Sequence, residues 1–222
     1  MLFNTLRIVL ASIATITVAA VAVGAPKPLP APVPAPPPAD ATLGAAAPAF
    51  ELTDTDGKTH RLADYAGKIV VLEWFNAGCP FSGSPSDFAV NTCGKGAALR
   101  KNLKEVDPTV VYLLIDSSAN RDKATVIAED QAAKKAHKIN APILIDYDGT
   151  VARLYNARTT PHTYVIDANG VLRYSGAFDD DRKNQKGDKA TNHILDAVKS
   201  LKNGTTPTPT QTRPWGCSVK YV

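Results

Sequence analysis

Three nearly continuous apolar runs constrain the fold of this chain more than any other feature. They lie at residues 69–75, 110–115 and 143–145, and two segments of helical composition separate them, at 97–106 and 122–137. A strand without apolar–polar alternation is typical of a sheet that is buried on both faces. The order strand, helix, strand, helix, strand therefore predicts an α/β domain.

Turn signals add two hairpins and a last helix to this plan. Asp56-Gly57 lies between residues 50–53 and 58–62, and Asn169-Gly170 lies between 163–166 and 171–174. Such dipeptides favour tight hairpin turns. An apolar stripe at 194–201 predicts a helix that stops at Asn203-Gly204. We expect a three-layer sandwich in which helices flank a central mixed β-sheet that begins with an N-terminal β-hairpin.

The two ends of the chain differ from this domain. Residues 1–25 have one positive charge, an uncharged apolar run and small residues, a pattern typical of a secretory signal peptide. An uncleaved N-terminal anchor is the alternative. Residues 26–40 are a Pro-rich linker that predicts a stiff spacer, and with a retained anchor it would be a membrane tether. Either way we expect the domain at 41–204 to be exported, to the periplasm or another extracytoplasmic space. An extended C-terminal tail at 205–222 carries Cys217.

Composition excludes several function classes. Among 222 residues, 25 Lys+Arg and 21 Asp+Glu give a net charge of +4, which lacks the dense basic stripe of a nucleic-acid-binding protein. The scattered histidines have no metal-ligand spacing, so we expect no metal and no cofactor. Three cysteines are enough for one redox couple with a thiol left over.

Cys79 follows the first apolar run after four residues and precedes Pro80. This position predicts that it lies where a buried strand passes into a helix. The unpaired N–H groups and the dipole of a helix N-terminus favour a thiolate, which is the nucleophilic form of cysteine. Pro80 suits a first helical turn because its missing N–H would have no partner there. A buried structural cysteine is the alternative.

Further residues give the chain a family resemblance. The segments Val-Leu-Glu-Trp-Phe-Asn-Ala-Gly-Cys-Pro-Phe and Thr-Thr-Pro-His-Thr-Tyr-Val-Ile-Asp resemble the thioredoxin-like superfamily, in its redoxin branch of alkyl hydroperoxide reductase and thiol-specific antioxidant proteins. The terminal Gly-Cys-Ser-Val-Lys-Tyr resembles an exported bacterial subgroup. The resemblance implies a cis bond between Thr160 and Pro161 beside Cys79. It also implies that Glu73 moves protons to and from that cysteine.

The chain departs from two patterns of the family. Ser82 stands where thioredoxins have the second cysteine of Cys-x-x-Cys, so a dithiol exchange confined to that motif is impossible. Asn76 and Leu72 stand at the Thr and Pro positions of the peroxiredoxin motif. The usual peroxide pocket is therefore incomplete, although the Asn76 amide could still donate a hydrogen bond to a peroxide oxygen.

Four other residues are candidates for the site. We expect Cys217 to resolve the Cys79 intermediate, because the tail is long enough to reach and its aromatic neighbours could dock it. Cys93 is the competitor, and an intermolecular bond or no bond are further alternatives. Glu73 could also be a core acid with a backbone partner. His162 is expected either to contact thiolate or substrate, or to face solvent from its strand.

These observations predict an exported thiol-dependent oxidoreductase. Cys79 would attack a small peroxide or a protein disulfide, and a second cysteine would resolve the intermediate. The partner would be an external thiol reductant, a thioredoxin-like donor, and no nucleic acid. The alternative is a non-catalytic thioredoxin-like module for binding or assembly, perhaps one that handles a metal, and metal titration would distinguish the two.

Overall fold

A seven-stranded mixed sheet is the centre of the fold. The computed structural model describes residues 40–220, so the predicted segment 1–25 and nearly all of the linker 26–40 lie outside the described residues. The strands follow the order β2-β1-β5-β4-β3-β7-β8 across the sheet. Their bounds are β1 Glu51–Asp54, β2 Thr59–Arg61, β3 Val70–Trp74, β4 Val111–Asp116, β5 Ile143–Ile145, β7 Thr163–Ile166 and β8 Leu172–Gly176.

The three apolar runs form the centre of this sheet, as predicted. Strand β4 pairs in parallel with both β3 and β5, and all five residues of β3 are buried. The remaining pairs, β1 with β2 and β5, and β7 with β3 and β8, are antiparallel. The sheet is therefore mixed, and its parallel strands are the ones that lack apolar–polar alternation.

Helices cover both faces of the sheet. Alternate side chains of β3 enter two separate cores, Val71 on one face and Leu72 on the other. Helices α1 (Lys95–Val106) and α4 (His193–Lys202) contribute Leu99 and Val198 to the first core. Helix α3 (Thr150–Leu154) contributes to the second. Helix α2 (Lys123–Ala136) is capped by the Asp122 carboxylate, which accepts the Thr125 N–H at 2.9 Å.

Two short strands lie outside the main sheet. Strand β6 (Thr159–Thr160) precedes β7, and β9 (Cys217–Ser218) lies near the end of the chain. They pair antiparallel and form a sheet of their own. None of the helices within residues 40–220 is long and apolar enough to cross a membrane.

Candidate active site

Cys79 lies in a compact turn rather than at the start of a helix. Its carbonyl accepts the N–H groups of Ser82, Gly83 and Ser84 at 3.0, 3.1 and 3.0 Å, and the chain continues without a helix until Lys95. The predicted helix N-terminus at Cys79, with Pro80 in its first turn, is therefore wrong. A carbonyl that takes three donors folds the segment back on itself, so no ladder of helical bonds follows.

Packing against β3 explains why the turn closes so tightly. A Cβ atom on Gly83 would lie 2.6 Å from the Phe75 ring and 2.7 Å from the Asn76 carbonyl oxygen. Only glycine allows that approach. The turn thus packs against the C-terminal end of β3, and this contact holds Cys79 there.

The Cys79 side chain is almost completely buried, with 3% of the residue exposed. Its Sγ donates to the Thr160 carbonyl oxygen at 3.1 Å, and the Phe81 N–H donates to Sγ at 3.4 Å. The bond between Thr160 and Pro161 is cis. The sulfur therefore lies between its own turn and β6.

The C-terminal tail brings a second thiol to this sulfur. Cys217 faces Thr160 across the β6–β9 pair, and the Thr160 carbonyl also accepts the Cys79 thiol, so the two thiols are neighbours. Burial and then the adjacent Cys79 sulfur raise the pKa of Cys217 to about 12, against smaller opposing effects of Lys220 and the Phe81 N–H. All three cysteines are free thiols in this structure.

Gly216 makes the close approach of the tail possible. A Cβ atom at this position would lie 2.1 Å from the Thr160 carbonyl oxygen, and Gly216 has a φ of +132°. Any other residue would push the tail away from β6, because a Cβ cannot approach a backbone oxygen so closely. The residue before Cys217 thus sets the distance between the two thiols.

Several contacts fasten the tail to the domain. The Trp215 indole N–H donates to the Asp179 carbonyl at 2.7 Å, and its ring meets the Phe81 ring edge-on at 6.3 Å between centroids. Beyond Cys217, the Val219 N–H donates to the Arg158 carbonyl at 3.1 Å. The tail is therefore fastened to the domain both before and after β9, which keeps it over Cys79.

Cys93 lies in a different place. It lines a surface depression together with His137 and Asn184, and neither of the other cysteines borders that depression. Its backbone N–H donates to the Ala89 carbonyl at 2.9 Å. The structure thus brings Cys217, and not Cys93, to Cys79.

Glu73 is fully buried and well partnered. Asn91 Nδ2 donates to its carboxylate at 2.6 Å, the Tyr112 hydroxyl donates to the other oxygen, and Arg100 adds a buried positive charge. Burial raises the pKa of Glu73, while Tyr112, Arg100 and Asn91 oppose the rise. The partners are side chains rather than the backbone group that the sequence suggested as an alternative.

One chain of hydrogen bonds connects Glu73 to the cysteine turn. The Asn91 backbone N–H donates to the Ser82 carbonyl at 3.0 Å, and the Ser82 N–H donates to the Cys79 carbonyl at 3.0 Å. Within residues 40–220, no hydrogen bond joins the Glu73 carboxylate to the Cys79 sulfur directly. Glu73 is therefore one layer below the site.

Asn76 is held by the loop that follows β4. Its amide donates to the Ser118 hydroxyl at 2.5 Å, so one of its two N–H bonds is already used. The Arg121 guanidinium comes from the same loop and lies near the Gly78 backbone. Sequence reasoning missed Ser118, Arg121, Asn91 and Arg100, because no local motif marks residues that meet the turn only through the fold.

His162 is buried, and its hydrogen bonds go to its own segment and to neighbouring strands. Its Nδ1 accepts the Arg158 N–H at 3.2 Å, and its Nε2 lies 3.4 Å from the Ser175 hydroxyl. Burial and then the charge of Arg158 lower the pKa of His162 to about 3. The expectation that His162 faces solvent was wrong, since 5% of the residue is exposed. None of its hydrogen bonds in the described part of the chain goes to a cysteine sulfur, and contact with a substrate stays a prediction. The Thr160 hydroxyl is buried with no hydrogen-bond partner in the described part of the chain.

The described side chains offer no obvious metal site. Between residues 40 and 220, no three His, Cys, Asp or Glu side chains lie close enough together to hold a metal ion. The chemistry at hand is that of two neighbouring thiols beside the Phe81 N–H, where the tail that carries Cys217 covers Cys79.

Comparisons with known proteins agree with this geometry. The chain is 27% identical over 131 residues to the thiol-disulfide oxidoreductase ResA of Geobacillus kaustophilus (strain HTA426), covering 59% of this chain and 67% of that one. It is 26% identical over 172 residues to chloroplastic peroxiredoxin Q of Suaeda salsa, covering 72% and 67% of the two chains.

A solved structure shares the fold. The crystal structure of a hypothetical protein from Sinorhizobium meliloti 1021 superposes with a TM-score of 0.68 at 24% identity, covering 83% of this chain and 97% of that one. The AhpC/TSA family model matches residues 43–175, which include Cys79, Glu73 and the Thr160-Pro161 bond. The chain therefore belongs to the AhpC/TSA family.

Proposed function

We propose that this thioredoxin-fold oxidoreductase reduces a small peroxide through Cys79 and that Cys217 resolves the intermediate. The observation that carries the proposal is that Thr160 adjoins both cysteines: it pairs with Cys217 across β6–β9, and its carbonyl accepts the Cys79 thiol at 3.1 Å. Both cysteines belong to one chain and adjoin the same residue, Thr160. A disulfide between Cys79 and Cys217 would be the oxidised form that an external reductant returns to the two thiols.

The reaction balances with one external reductant. The Cys79 thiol and a hydroperoxide give a sulfenic acid and an alcohol or water. The Cys217 thiol then attacks the sulfenic sulfur, which forms the disulfide and releases water. An external dithiol, such as a thioredoxin-like donor, reduces that disulfide and leaves as a disulfide itself.

The order of the two thiols follows from their surroundings. A pKa of about 12 keeps Cys217 protonated at neutral pH. Because the thiolate is the attacking form, Cys217 is a poor first nucleophile. The Phe81 N–H donates to the Cys79 sulfur at 3.4 Å. First attack therefore belongs to Cys79, and Cys217 reacts with the product.

The burial of Cys79 favours a small oxidant. Only 3% of the residue is exposed, and the tail covers it. A peroxide can enter through small fluctuations, whereas a protein disulfide requires the whole tail to leave. The second N–H of the Asn76 amide is a candidate donor to a peroxide oxygen. Protein disulfide reduction is the second candidate, supported by the ResA relative and by the shortness of the β6–β9 pair.

Glu73 is proposed to assist proton transfer at the site. Its raised pKa favours a protonated carboxyl that can give and regain a proton. The hydrogen bonds from Glu73 to the Cys79 turn run through the amide groups of Asn91 and Ser82, which do not relay a proton. Glu73 therefore acts on Cys79 through the position of the turn and through the electrostatic field of its carboxyl group. The test is the pH dependence of a Glu73→Gln variant.

Export is proposed from the sequence of residues 1–25. Signal cleavage would release the domain outside the cytoplasm, and a retained anchor would tether it there through the Pro-rich linker. Cell fractionation and N-terminal sequencing of the purified protein separate these two outcomes. Retention in the cytoplasm would contradict both.

Peptide mapping tests the redox pair. The full-length reduced protein is treated with one equivalent of hydrogen peroxide or of oxidised glutathione, and non-reducing mass spectrometry identifies the bonds. We expect the Cys79–Cys217 peptide with peroxide in the natural chain and in the Cys93→Ser control. Cys217→Ser should accumulate a dimedone-reactive sulfenic acid on Cys79. A Cys79–Cys93 peptide would overturn the assignment of Cys217.

A metal titration tests the non-catalytic alternative. Stoichiometric binding of zinc by the reduced chain, together with no reaction of Cys79 with either oxidant, would favour a binding or assembly module. We expect a rapid thiol reaction and no tight zinc binding.

A further inference from the structure

A cleft lined by neither Cys79 nor Cys217 lies next to the tail that carries Cys217. Its volume is about 650 Å³, and four parts of the fold line it: the start of the described domain, the segment after α3, strands β7 and β8 with the residue before β7, and the tail. The walls include Arg158, His162, Ser175, Gln211 and Arg213. Nothing in the proposed thiol chemistry uses this cleft.

The charge in this cleft is of one sign. Arg158 and Arg213 are the only permanently charged residues in its walls, and no aspartate or glutamate lines it. Within residues 40–220, neither arginine forms an ion pair. The 39 residues before this part contain no acidic residue that could neutralise them. Two guanidinium groups beside one cleft attract an anion of matching size.

His162 turns a hydroxyl into a donor at the base of this cleft. Its low pKa keeps the ring neutral at physiological pH. Its Nδ1 lies 3.2 Å from the Arg158 nitrogen, which donates to it, and 3.0 Å from the Tyr164 hydroxyl, and its Nε2 lies 3.4 Å from the Ser175 oxygen. We assign the ring proton to Nε2 on the Arg158 contact, so that Nε2 donates to Ser175. The Ser175 O–H hydrogen is then available to a ligand in the cleft.

We propose that this cleft binds a small oxyanion, a carboxylate or phosphate group, between Arg158 and Arg213. The Ser175 hydroxyl and the Gln211 amide are the neutral donors that would complete its coordination. Oxyanion groups with two terminal oxygens match the planar N–H pairs of arginine, which is why arginine rather than lysine suits such a site.

The ligand would also fasten the tail. Arg213 belongs to the tail, four residues before Cys217, whereas Arg158 belongs to the domain and its carbonyl accepts the Val219 N–H at 3.1 Å. An anion held by both guanidinium groups joins the tail to the domain at a point outside the β6–β9 pair. Its binding should therefore reduce the opening that exposes Cys79.

Calorimetry of the full-length reduced chain tests the binding. Sodium phosphate and sodium succinate are titrated separately at constant ionic strength, because screening alone would mimic weak anion binding. We expect saturable binding of at least one of them. Arg158→Gln and Arg213→Gln should each weaken it about ten-fold, the usual loss for one charge-assisted hydrogen bond. The control Arg61→Gln removes another exposed arginine, which lies outside the cleft and is paired with Glu51, and it should change binding less than two-fold.

Two outcomes would overturn the proposal. One is the absence of saturable binding for both anions up to about 20 mM, roughly twenty times a millimolar dissociation constant. The other is equal affinity of the natural chain and both glutamine variants. Arg158→Lys and Arg213→Lys guard against a folding defect: they keep the charge but lose the planar N–H pair, so they should bind more tightly than the glutamine variants and less tightly than the natural chain.

A second readout tests the connection to the tail. Alkylation of Cys79 in the Cys93→Ser background should slow in the presence of the bound anion, and it should not slow in Arg213→Gln. An equal rate of Cys79 alkylation with and without saturating anion would show that the anion does not fasten the tail. This measurement does not depend on the identity of the oxidant or of the electron donor.

Discussion

Thr160 and Cys217 are direct partners in the antiparallel β6–β9 pair, and the carbonyl of Thr160 also accepts the Cys79 thiol at 3.1 Å. One backbone residue therefore positions both sulfurs. The two cysteines lie far apart in sequence, so their meeting depends on how closely the tail approaches Thr160.

Gly216→Ala should separate the two thiols without changing either. The added Cβ would lie 2.1 Å from the Thr160 oxygen, so the tail must move outward. We expect the rate of Cys79–Cys217 bond formation after peroxide treatment to fall about ten-fold or more, the factor for roughly 1.4 kcal/mol of lost docking. Gel-shift kinetics with a maleimide reagent measure it.

Gly204→Ala is the matched control for this change. Gly204 also has a positive φ, +72°, but no atom lies within 4 Å of its Cβ position. Both variants therefore carry backbone strain, and only Gly216→Ala adds the clash. Equal rates for the two variants would show that the close approach of Gly216 has no role in resolution.

Trp215→Ala should open the tail. The substitution removes the 2.7 Å hydrogen bond to Asp179 and the ring contact with Phe81. A buried hydrogen bond and an aromatic pair are each worth about 1 kcal/mol, so alkylation of Cys79 should accelerate about ten-fold or more. Trp215→Phe keeps a ring and should give an intermediate rate. An alkylation rate that is the same in all three proteins would mean that Trp215 does not hold the tail.

The sequence predicts the sheet better than it predicts this site. Continuous apolar runs identify β3, β4 and β5, because a strand that is buried on both faces needs apolar side chains at almost every position. Helix α4 follows from its apolar stripe and Asn203-Gly204. Helix α3 was missed, since its five residues are too few for a periodic pattern.

The site itself depends on contacts between distant segments. Tail length predicts that Cys217 can reach Cys79, but the β6–β9 register comes from two residues on each side that have no strand pattern of their own. The helix expected at Cys79 failed for a local reason, because one carbonyl takes three N–H donors in the turn. Arg100 and Asn91 meet Glu73 only after α1 packs on the sheet.

Glu73→Gln should change the pH dependence of both stability and turnover. Burial raises the pKa of Glu73 above its ordinary value of 4.5, so the folded chain binds this proton more tightly than the unfolded chain does. The natural protein should lose stability relative to the variant as pH rises from about 4.5 through the raised value. Urea unfolding at several pH values measures the difference. Turnover of peroxide should slow while the fold is retained, and identical pH profiles would reduce Glu73 to a packing residue.

Asp130→Asn should remove a second pH-dependent loss of stability. Asp130 in α2 and Asp116 at the end of β4 are both buried, and burial followed by the charge of Asp116 raises the pKa of Asp130 to about 9. The unfolded chain releases this proton near the ordinary value of 3.8. Between those two values the folded state binds more protons, so stability falls as pH rises.

The free energy of unfolding should fall by up to about 1.4 kcal/mol per pH unit, the value for one proton. Urea unfolding of the natural chain should therefore show decreasing stability from pH 5 to pH 9, and Asp130→Asn should have a flatter curve. Asp122→Asn is the control, because the pKa of this exposed capping carboxylate is lowered and it stays ionised across that range. Its curve should run parallel to that of the natural chain. If the Asp130→Asn curve also runs parallel, Asp130 is ionised in the folded protein and the buried pair does not hold a proton.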